Sequence, residues 1–464
     1  MGISGMGVSA LALLLKKKGF RVSGSDREFY GPGYGILKKE GIKIFRNYSR
    51  KNIPPDADLV VVGGKHANFE PEKNEEVKFA LRAGMKMRSV PEILGELARR
   101  TENTVVAGSF GKSTVTALLA WCLKVAKKNP SYFIGAVPLE FSRHAELEKG
   151  KHFILEGDEY PSSNWDDRSK FLHLRPRNVI LISAEHDHMN VFPKEADYLK
   201  PYKKLIALLP RNGLLVTASE GKNIKKVVAG AKCKVVSYGL TKKSMWHPEN
   251  ISYGERTAFD LFRGRQKIVR LETELLGNHN IENIVGASAF LLEKKLISPK
   301  QLRSGVKTFR GLTRRLDLKT RKSSVPVYEG FGSSYPKAKS VFDALELHYP
   351  DKRLITVFEP HTASWSHKRA KDWYRDIFRT SDQVIFLPPP AYRRNEPGQL
   401  TQGELVKFIR KYRKRVHPVK TEKEALSFLK KITKKDDIIV LVSSGSLLGL
   451  ARSVPRLMEK LFPK

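Results

Sequence analysis

Short apolar runs rich in β-branched residues alternate with stretches of helical periodicity along nearly the whole chain. That alternation predicts layered α/β structure built on parallel sheets. The runs predicted as buried strands are Asp58–Val62, Thr104–Ala107, Val179–Ile182, Leu354–Phe358, Val384–Leu387 and Ile438–Val442. Each is shorter than an ordinary helix and is followed at once by Gly, Ser, Pro or a charged residue. No internal repeat and no low-complexity tract interrupts the pattern.

The chain of 464 residues is long enough for two to four domains at roughly 150 residues each. Three blocks suggest themselves. Residues 1–100 open on a Gly-rich turn, residues 101–315 begin strand, Gly loop, helix, and residues 316–464 alternate strand and helix again. Around Thr313–Pro326 the apolar periodicity lapses and charge rises, as expected between domains.

A hydrophobic fraction of 41% excludes wholesale disorder. Lys and Arg exceed Asp and Glu by 37, a surplus that favours anionic partners without choosing among them. Thr401–Lys464 alone carries 16 basic and 6 acidic residues, and its run KFIRKYRKR reads most simply as a solvated helix face. Two isolated cysteines, Cys122 and Cys233, predict neither a disulfide framework nor a zinc site. No basic leader and no apolar membrane-length run is found, so a cytoplasmic protein is expected.

The strongest local signal is Thr104–Thr116, TVVAGSFGKSTVT. A strand runs into Gly108, Ser109, Phe110, Gly111, Lys112, Ser113 and Thr114, and an apolar helix follows. Glycines let backbone N–H groups turn toward phosphate oxygens, and the helix N-terminus adds partial positive charge. Lys112 suits the β/γ-phosphates and the Ser113 hydroxyl suits Mg²⁺. Val106 stands where the full-length phosphate loop has its first glycine, so this is a shortened form.

Gly2, Gly5 and Gly7 precede an apolar helix and then Phe20–Gly24, with Ser25 and Asp26 at its end, a Rossmann-like arrangement. No strand leads into that turn, which predicts unpaired sheet edges and a native start upstream of Met1. Two acidic clusters follow strand-like runs, Glu156–Tyr160 after Phe153–Leu155 and Glu185–His188 after Val179–Ile182. A carboxylate and an imidazole beside a triphosphate suit Mg²⁺, and the lesser alternative is that the acids cap the next helix while the histidines are solvated. Asn280 and Asn283 share one face of a helix start and fit either a purine edge or a cap.

In order, the Gly-rich turn with GSD, AGSFGKST, EGDEY, EHDHM, GNHNIEN, FRGLTRRLD and VFEPH resemble the Mur ligases over nearly the whole chain. The stretch from EGDEYPSSNW to EHDHMNVF resembles the branch of that family that uses murein tripeptide in peptidoglycan recycling. The resemblance implies three domains: a Rossmann-like UDP-sugar domain, a P-loop ATPase domain and a Rossmann-like domain for the amine. It implies an ATP- and Mg²⁺-dependent carbon–nitrogen ligase joining UDP-N-acetylmuramate to L-Ala-γ-D-Glu-meso-diaminopimelate through an acyl phosphate, with no specific nucleic-acid partner and a monomer favoured.

On that resemblance Lys112, Glu156, His188 and Arg315 serve catalysis, and Ser113, Glu156 and His188 hold the metal. Gly108, Ser109, Gly111, Thr114, Asn280 and Asn283 join Lys112, Ser113 and Arg315 in holding ATP. Gly5 and Gly7 face the UDP diphosphate, with Ser25 and Asp26 near uridine. Lys203 stands where some relatives carry a carbamylated lysine. The family's ribose-binding Asp corresponds to Gly330, with Glu329 one place off, and Ser333 and Ser334 replace two histidines. The alternatives are addition of L-alanine, a non-catalytic nucleotide sensor on the same scaffold, and a P-loop nucleic-acid protein suggested by charge alone.

Overall fold

The computed structural model describes residues 1–29, 31–187, 191–391 and 398–464. They form two compact units. The first comprises Met1–Ile251, Ala258–Thr273 and Asn280–Leu312, and the second Ser252–Thr257, Glu274–His279 and Thr313–Lys464. Among the described residues no helix is long and apolar enough to cross a membrane.

The first unit is built on a ten-stranded sheet. At its centre Glu102–Ala107 runs parallel to His152–Glu156 on one side and Asn178–Leu181 on the other. The register sets Val106 against Glu156 and Ala107 against Leu181. All three strands therefore end at one edge, and the loops after them share one crevice, the usual ligand position in a parallel sheet. Val105, Val106, Leu155, Val179 and Ile180 are fully buried, which is why these strands read as apolar runs rather than alternating ones. Leu214–Ala218 and Lys234–Tyr238 extend the parallel part, and Trp246–Ser252, Thr257–Arg263 and Gln266–Thr273 complete that side.

The first hundred residues carry two separate two-stranded parallel sheets, Ser23–Asp26 with Lys43–Arg46 and Val60–Val62 with Met87–Ser89. The edges expected to be unpaired are met by Met1–Ile3. The Met1 amino group donates to the Val61 carbonyl at 2.7 Å, and the Gly2 and Ile3 N–H groups donate to the Ser25 carbonyl at 2.9 and 3.1 Å. The first strand lies at Ser23–Asp26, paired with Lys43–Arg46, rather than at Phe20–Gly24 as expected, and Phe20 lies exposed.

The second unit holds a six-stranded sheet in the order Asp317–Leu318, Val327–Phe331, Ile438–Ser443, Leu354–Phe358, Gln383–Phe386, Val416–Pro418. Apart from the first pair it is parallel. Each face carries its own core. Tyr328, Phe358, Phe386, Val440 and Val442 pack on one side, and Val327, Ile355, Val357, Ile439 and Leu441 on the other. The strand Ile438–Ser443 lies between two strands consecutive in the chain, so a topological switch point falls at its C-terminal end.

Candidate active site

The phosphate loop leaves Glu102–Ala107 at Gly108 and closes at Gly111, the N-cap of the helix Lys112–Val125. Gly111 has φ 82°, a left-handed conformation that strains any residue with a Cβ. A Cβ there would also lie 2.5 Å from the Asn283 Oδ1. Loop and Asn283 are thus packed together, and Asn280 lies beside them, its Oδ1 3.4 Å from the Asn283 amide nitrogen. Both asparagines are buried at the start of the helix Asn278–Glu293.

Two supports that the sequence did not signal hold the loop from below. The Ser109 N–H donates to the Ser183 hydroxyl at 2.9 Å. The Ser109 hydroxyl donates to the Glu185 carbonyl at 2.6 Å and lies 2.9 Å from the Tyr198 hydroxyl, which in turn lies 3.0 Å from that of Tyr202. Ser183 follows a strand end and Tyr198 sits inside a helix, positions with no motif to mark them.

The acidic run after His152–Glu156 faces the same loop. The Ser113 hydroxyl donates to Glu156 Oε1 at 2.9 Å, and the Gly135 N–H donates to Oε2 at 2.6 Å. Lys112 Nζ donates to the Gly108 carbonyl at 2.6 Å and pairs with Glu159 Oε2 at 2.9 Å. Burial works against the Lys112 charge, yet Glu159, Asp158 and Glu156 together outweigh it and hold the ammonium at about 12. Burial likewise penalises the Asp158 carboxylate, but Lys170 at 2.6 Å and Lys112 keep its pKa below the ordinary value. Ser113 and Glu156 present hard oxygen donors side by side, a donor set that fits Mg²⁺. Among the described residues no three His, Cys, Asp or Glu side chains group as a metal cluster.

A cavity of about 520 Å³ in the first unit joins this cluster to the N-terminal turn. Gly5, Gly7 and Asp26 line one part, Lys112, Glu156 and Asp158 another, with Lys65, His66 and Lys170 also on the wall. Asp26 is fixed by the N–H groups of Ser4 and Arg27, both at 2.8 Å. Ser25 is not brought into this cavity. Its hydroxyl turns the other way onto Glu76, a buried carboxylate that also accepts from Ser49 N–H and the Asn52 amide.

His188 lies outside the described residues. Lys203 is exposed on the helix Glu195–Ala207, whose buried face carries Tyr198, Tyr202 and Leu205. Thr114 is half-buried in the first turn after the loop. Arg315 belongs to the second unit, its guanidinium 4.8 Å from the Phe331 ring centroid. The cations of the run 407–415 are largely exposed, but the helix Gln402–Ile409 ends within the run, so most of it is a solvated loop rather than the helix face expected.

The strand Val327–Phe331 pairs without slippage on both sides, so Glu329 and Gly330 face opposite sides of the sheet. Glu329 is buried and paired with Arg314 at 3.3 Å and Lys319 at 3.0 Å. A Cβ at Gly330 would lie 2.7 Å from Val341 of the packed helix Tyr335–His348. The slipped loop that would let Glu329 replace the ribose-binding Asp is not what the structure shows.

Two family profiles match the chain, "Mur ligase family, catalytic domain" over residues 1–102 and "Mur ligase middle domain" over 106–291. The chain belongs to the Mur ligase family. It is therefore an ATP-dependent carbon–nitrogen ligase. The UDP-N-acetylmuramate–L-alanine ligase of Clostridium acetobutylicum is 27% identical over 450 residues, covering 96% of this chain and 94% of that protein. The solved UDP-N-acetylmuramate–alanine ligase of Thermotoga maritima superposes with a TM-score of 0.81 at 20% identity, covering 99% and 98% of the two chains. The UDP-N-acetylmuramate:L-alanyl-γ-D-glutamyl-meso-diaminopimelate ligase of Neisseria meningitides gives 0.61 at 26% identity, covering 68% and 98%. The fold is the three-domain Mur ligase fold of mixed α/β layers.

Proposed function

We propose that this ligase activates the carboxylate of a UDP-N-acetylmuramate-type nucleotide sugar as an acyl phosphate and transfers the acyl group to the amine of L-alanine. One observation carries the nucleotide-sugar reading: a single cavity has Gly5, Gly7 and Asp26 on one part of its wall and Lys112 and Glu156 on another. A long ligand with a nucleotide diphosphate at one end and a carboxylate at the other matches that lining. L-Alanine is taken as the acceptor because the relatives that span 96% of the chain are named for it. The tripeptide L-Ala-γ-D-Glu-meso-diaminopimelate is the second reading, favoured by the 26% identity to the Neisseria ligase.

In this reading residues 1–100 hold the UDP-sugar, 101–315 hold ATP and 316–464 receive the amine. Gly108 through Thr114 cradle the triphosphate, with Lys112 neutralising charge as it moves off the γ-phosphate. Asn280 and Asn283 contact adenine, and Arg315 the γ-phosphate. Gly5 and Gly7 face the UDP diphosphate, with Ser25 and Asp26 toward uridine, Ser25 after release from Glu76. Ser113 and Glu156, with His188, would hold Mg²⁺, which supplies charge neutralisation on the transferring phosphoryl group when bound. The chain's own task is positioning: holding carboxylate, phosphate and amine in one line with water excluded.

The test is phosphate release from ATP and UDP-N-acetylmuramate with L-alanine or with the tripeptide, using Lys112→Ala as control. Release with L-alanine alone is expected. Release with the tripeptide alone moves the protein to the recycling branch. ATP binding without release in either mixture overturns the ligase reading in favour of a nucleotide sensor.

A further inference from the structure

We propose that Lys170 recognises the lactyl carboxylate of the nucleotide sugar, the group that sets a UDP-N-acetylmuramate-type substrate apart from other UDP-sugars; this rests on the ligase reading above and deepens it. Lys170 stands at the base of a hairpin whose arms are Pro161–Ser163 and Asp166–Ser169. Two backbone bonds close that base, Lys170 N–H to the Tyr160 carbonyl at 2.9 Å and Phe171 N–H to the Asp158 carbonyl at 3.1 Å. The closure sets Lys170 opposite Asp158, and Nζ donates to Asp158 Oδ2 at 2.6 Å. The Tyr160 ring faces the same ammonium, its centroid 5.7 Å away. Lys170 is half-buried and lines the cavity that joins the N-terminal turn to the phosphate loop.

The hairpin is fastened to the loop that follows Val60–Val62. The His66 N–H donates to Asn164 Oδ1 at 3.0 Å, and the Asn164 amide returns a bond to the His66 carbonyl at 3.1 Å. Lys65 pairs with Asp167 at 2.5 Å, and both are exposed. Beside them, a Cβ at Gly64 would lie 3.4 Å from both Cε and Nζ of Lys170. The ammonium is thus held against two segments of the cavity wall before any ligand arrives. It has three N–H donors. Asp158 takes one, and among the described residues no other hydrogen bond engages Nζ.

The charge balance near the phosphate loop calls for such a group. Glu156, Asp158 and Glu159 come together after the strand His152–Glu156, and Glu156 and Asp158 line the cavity. A substrate carboxylate brought there meets those acids and the triphosphate of ATP, and like charges repel at so short a range. Lys112 is committed to the phosphates. Among the described residues on the cavity wall the other lysines are Lys65 and Lys170, and Lys65 is engaged by Asp167 in an exposed pair. Lys170 meets the carboxylate with a remaining N–H while Asp158 keeps the ammonium in place. The diphosphate makes no such demand. In the same reading it lies at the helix Met6–Lys17, whose first turn carries no acidic residue.

Calorimetric titration with UDP-N-acetylmuramate and with UDP-N-acetylglucosamine, which lacks the lactyl group, reads this contact without turnover. The parent is expected to bind the muramate sugar about 10–100-fold more tightly, the worth of a hydrogen bond between charged groups. Lys170→Met is expected to lose most of that preference while its affinity for UDP-N-acetylglucosamine stays within about twofold, which also reports that the variant is folded. Lys170→Arg restores a cation and is expected to recover part of the preference. A parent preference that survives in Lys170→Met overturns the proposal. Equal weakening of both sugars also overturns it, placing Lys170 on the diphosphate or in the fold, as does a parent that binds both alike. A parent that binds neither sugar overturns the nucleotide-sugar reading itself. A preference that is lost in Lys170→Met, in a protein that releases no phosphate from ATP, upholds the carboxylate contact and overturns the ligase chemistry alone.

Discussion

Lys112 and Glu159 form a buried ion pair at the mouth of the phosphate loop, Nζ 2.9 Å from Oε2, with Glu159 only 1% exposed at its side chain. The lysine is parked on protein groups and must exchange them for phosphate oxygens. Removing it alone takes the ammonium away from a buried carboxylate. Lys112→Ala is expected to abolish phosphate release and also to lower unfolding free energy by about 3–5 kcal/mol. Lys112→Met combined with Glu159→Gln removes both charges and is expected to recover most of that stability while remaining inactive. Urea unfolding of the parent, Lys112→Met, Glu159→Gln and the double variant measures the coupling.

Ser113 and Glu156 satisfy each other across 2.9 Å, and the Gly135 N–H holds the second carboxylate oxygen. Their hydrogen bond places two oxygen donors together before any metal arrives. Ser113→Ala is expected to raise the Mg²⁺ concentration for half-maximal activity by about 10–100-fold while leaving Tm within a few degrees. Glu156→Gln is expected to lose more, because the charge goes as well as the donor. Activity titrated against Mg²⁺ at saturating ATP separates the two. An unchanged Mg²⁺ requirement in both variants would remove these residues from the metal site.

What the sequence made legible follows from burial. The central strands lie in a sheet covered on both faces, so Val105, Val106, Ile154, Leu155, Val179 and Ile180 read as unbroken apolar runs and were found to within two residues. The outer strands Lys234–Tyr238, Trp246–Ser252, Thr257–Arg263 and Gln266–Thr273 were not predicted, since each mixes buried and exposed positions with Lys, Arg and Glu. The phosphate loop was legible because glycine, lysine and hydroxyl spacing is local. That Gly5 and Lys112 line one cavity was not, because more than a hundred residues separate them and only the folded chain joins them. That Ser25 turns away from the cavity was hidden for a related reason: its neighbour Asp26 faces the cavity, and alternation in a strand sends the Ser25 hydroxyl to Glu76.

His144 supplies a pH dependence of stability. It is fully buried, its Nε2 3.1 Å from both the Ser9 hydroxyl and the Met6 carbonyl, and its Nδ1 has no hydrogen-bond partner among the described residues. Burial holds its pKa down at about 4 against an ordinary 6.5, the Met6 carbonyl offsetting only part of that. Between those values the unfolded chain binds a proton that the folded one does not, so stability falls as pH drops from 6.5 toward 4 and the loss then levels off. The contribution is about 3 kcal/mol across that window. Urea midpoints at pH 7.5 and 4.5 are expected to differ less in His144→Gln than in the parent. Identical pH dependence in the two would show that His144 takes up its proton as readily in the fold as in the unfolded chain.

Gly330 and Glu329 offer a test of whether a carboxylate at this strand can serve ATP. The unslipped strand points position 330 at Val341, 2.7 Å from an ideal Cβ. Gly330→Asp must push that helix outward and bury a carboxylate without a partner, so it is expected to lose about 1–3 kcal/mol or more and to leave the KM for ATP unimproved. Glu329 is engaged by the half-buried Arg314 and Lys319, which join it to the buried Asp317. Burial raises the Asp317 pKa, and the Glu329 charge raises it further against the pull of Lys319. Glu329→Gln is therefore expected to act on the fold: Tm falls, Asp317 gains Lys319 to itself, and the KM for ATP stays within about twofold while the variant is folded. A selective rise in that KM with Tm unchanged would instead make Glu329 a nucleotide ligand, reached only by breaking both of its present ion pairs.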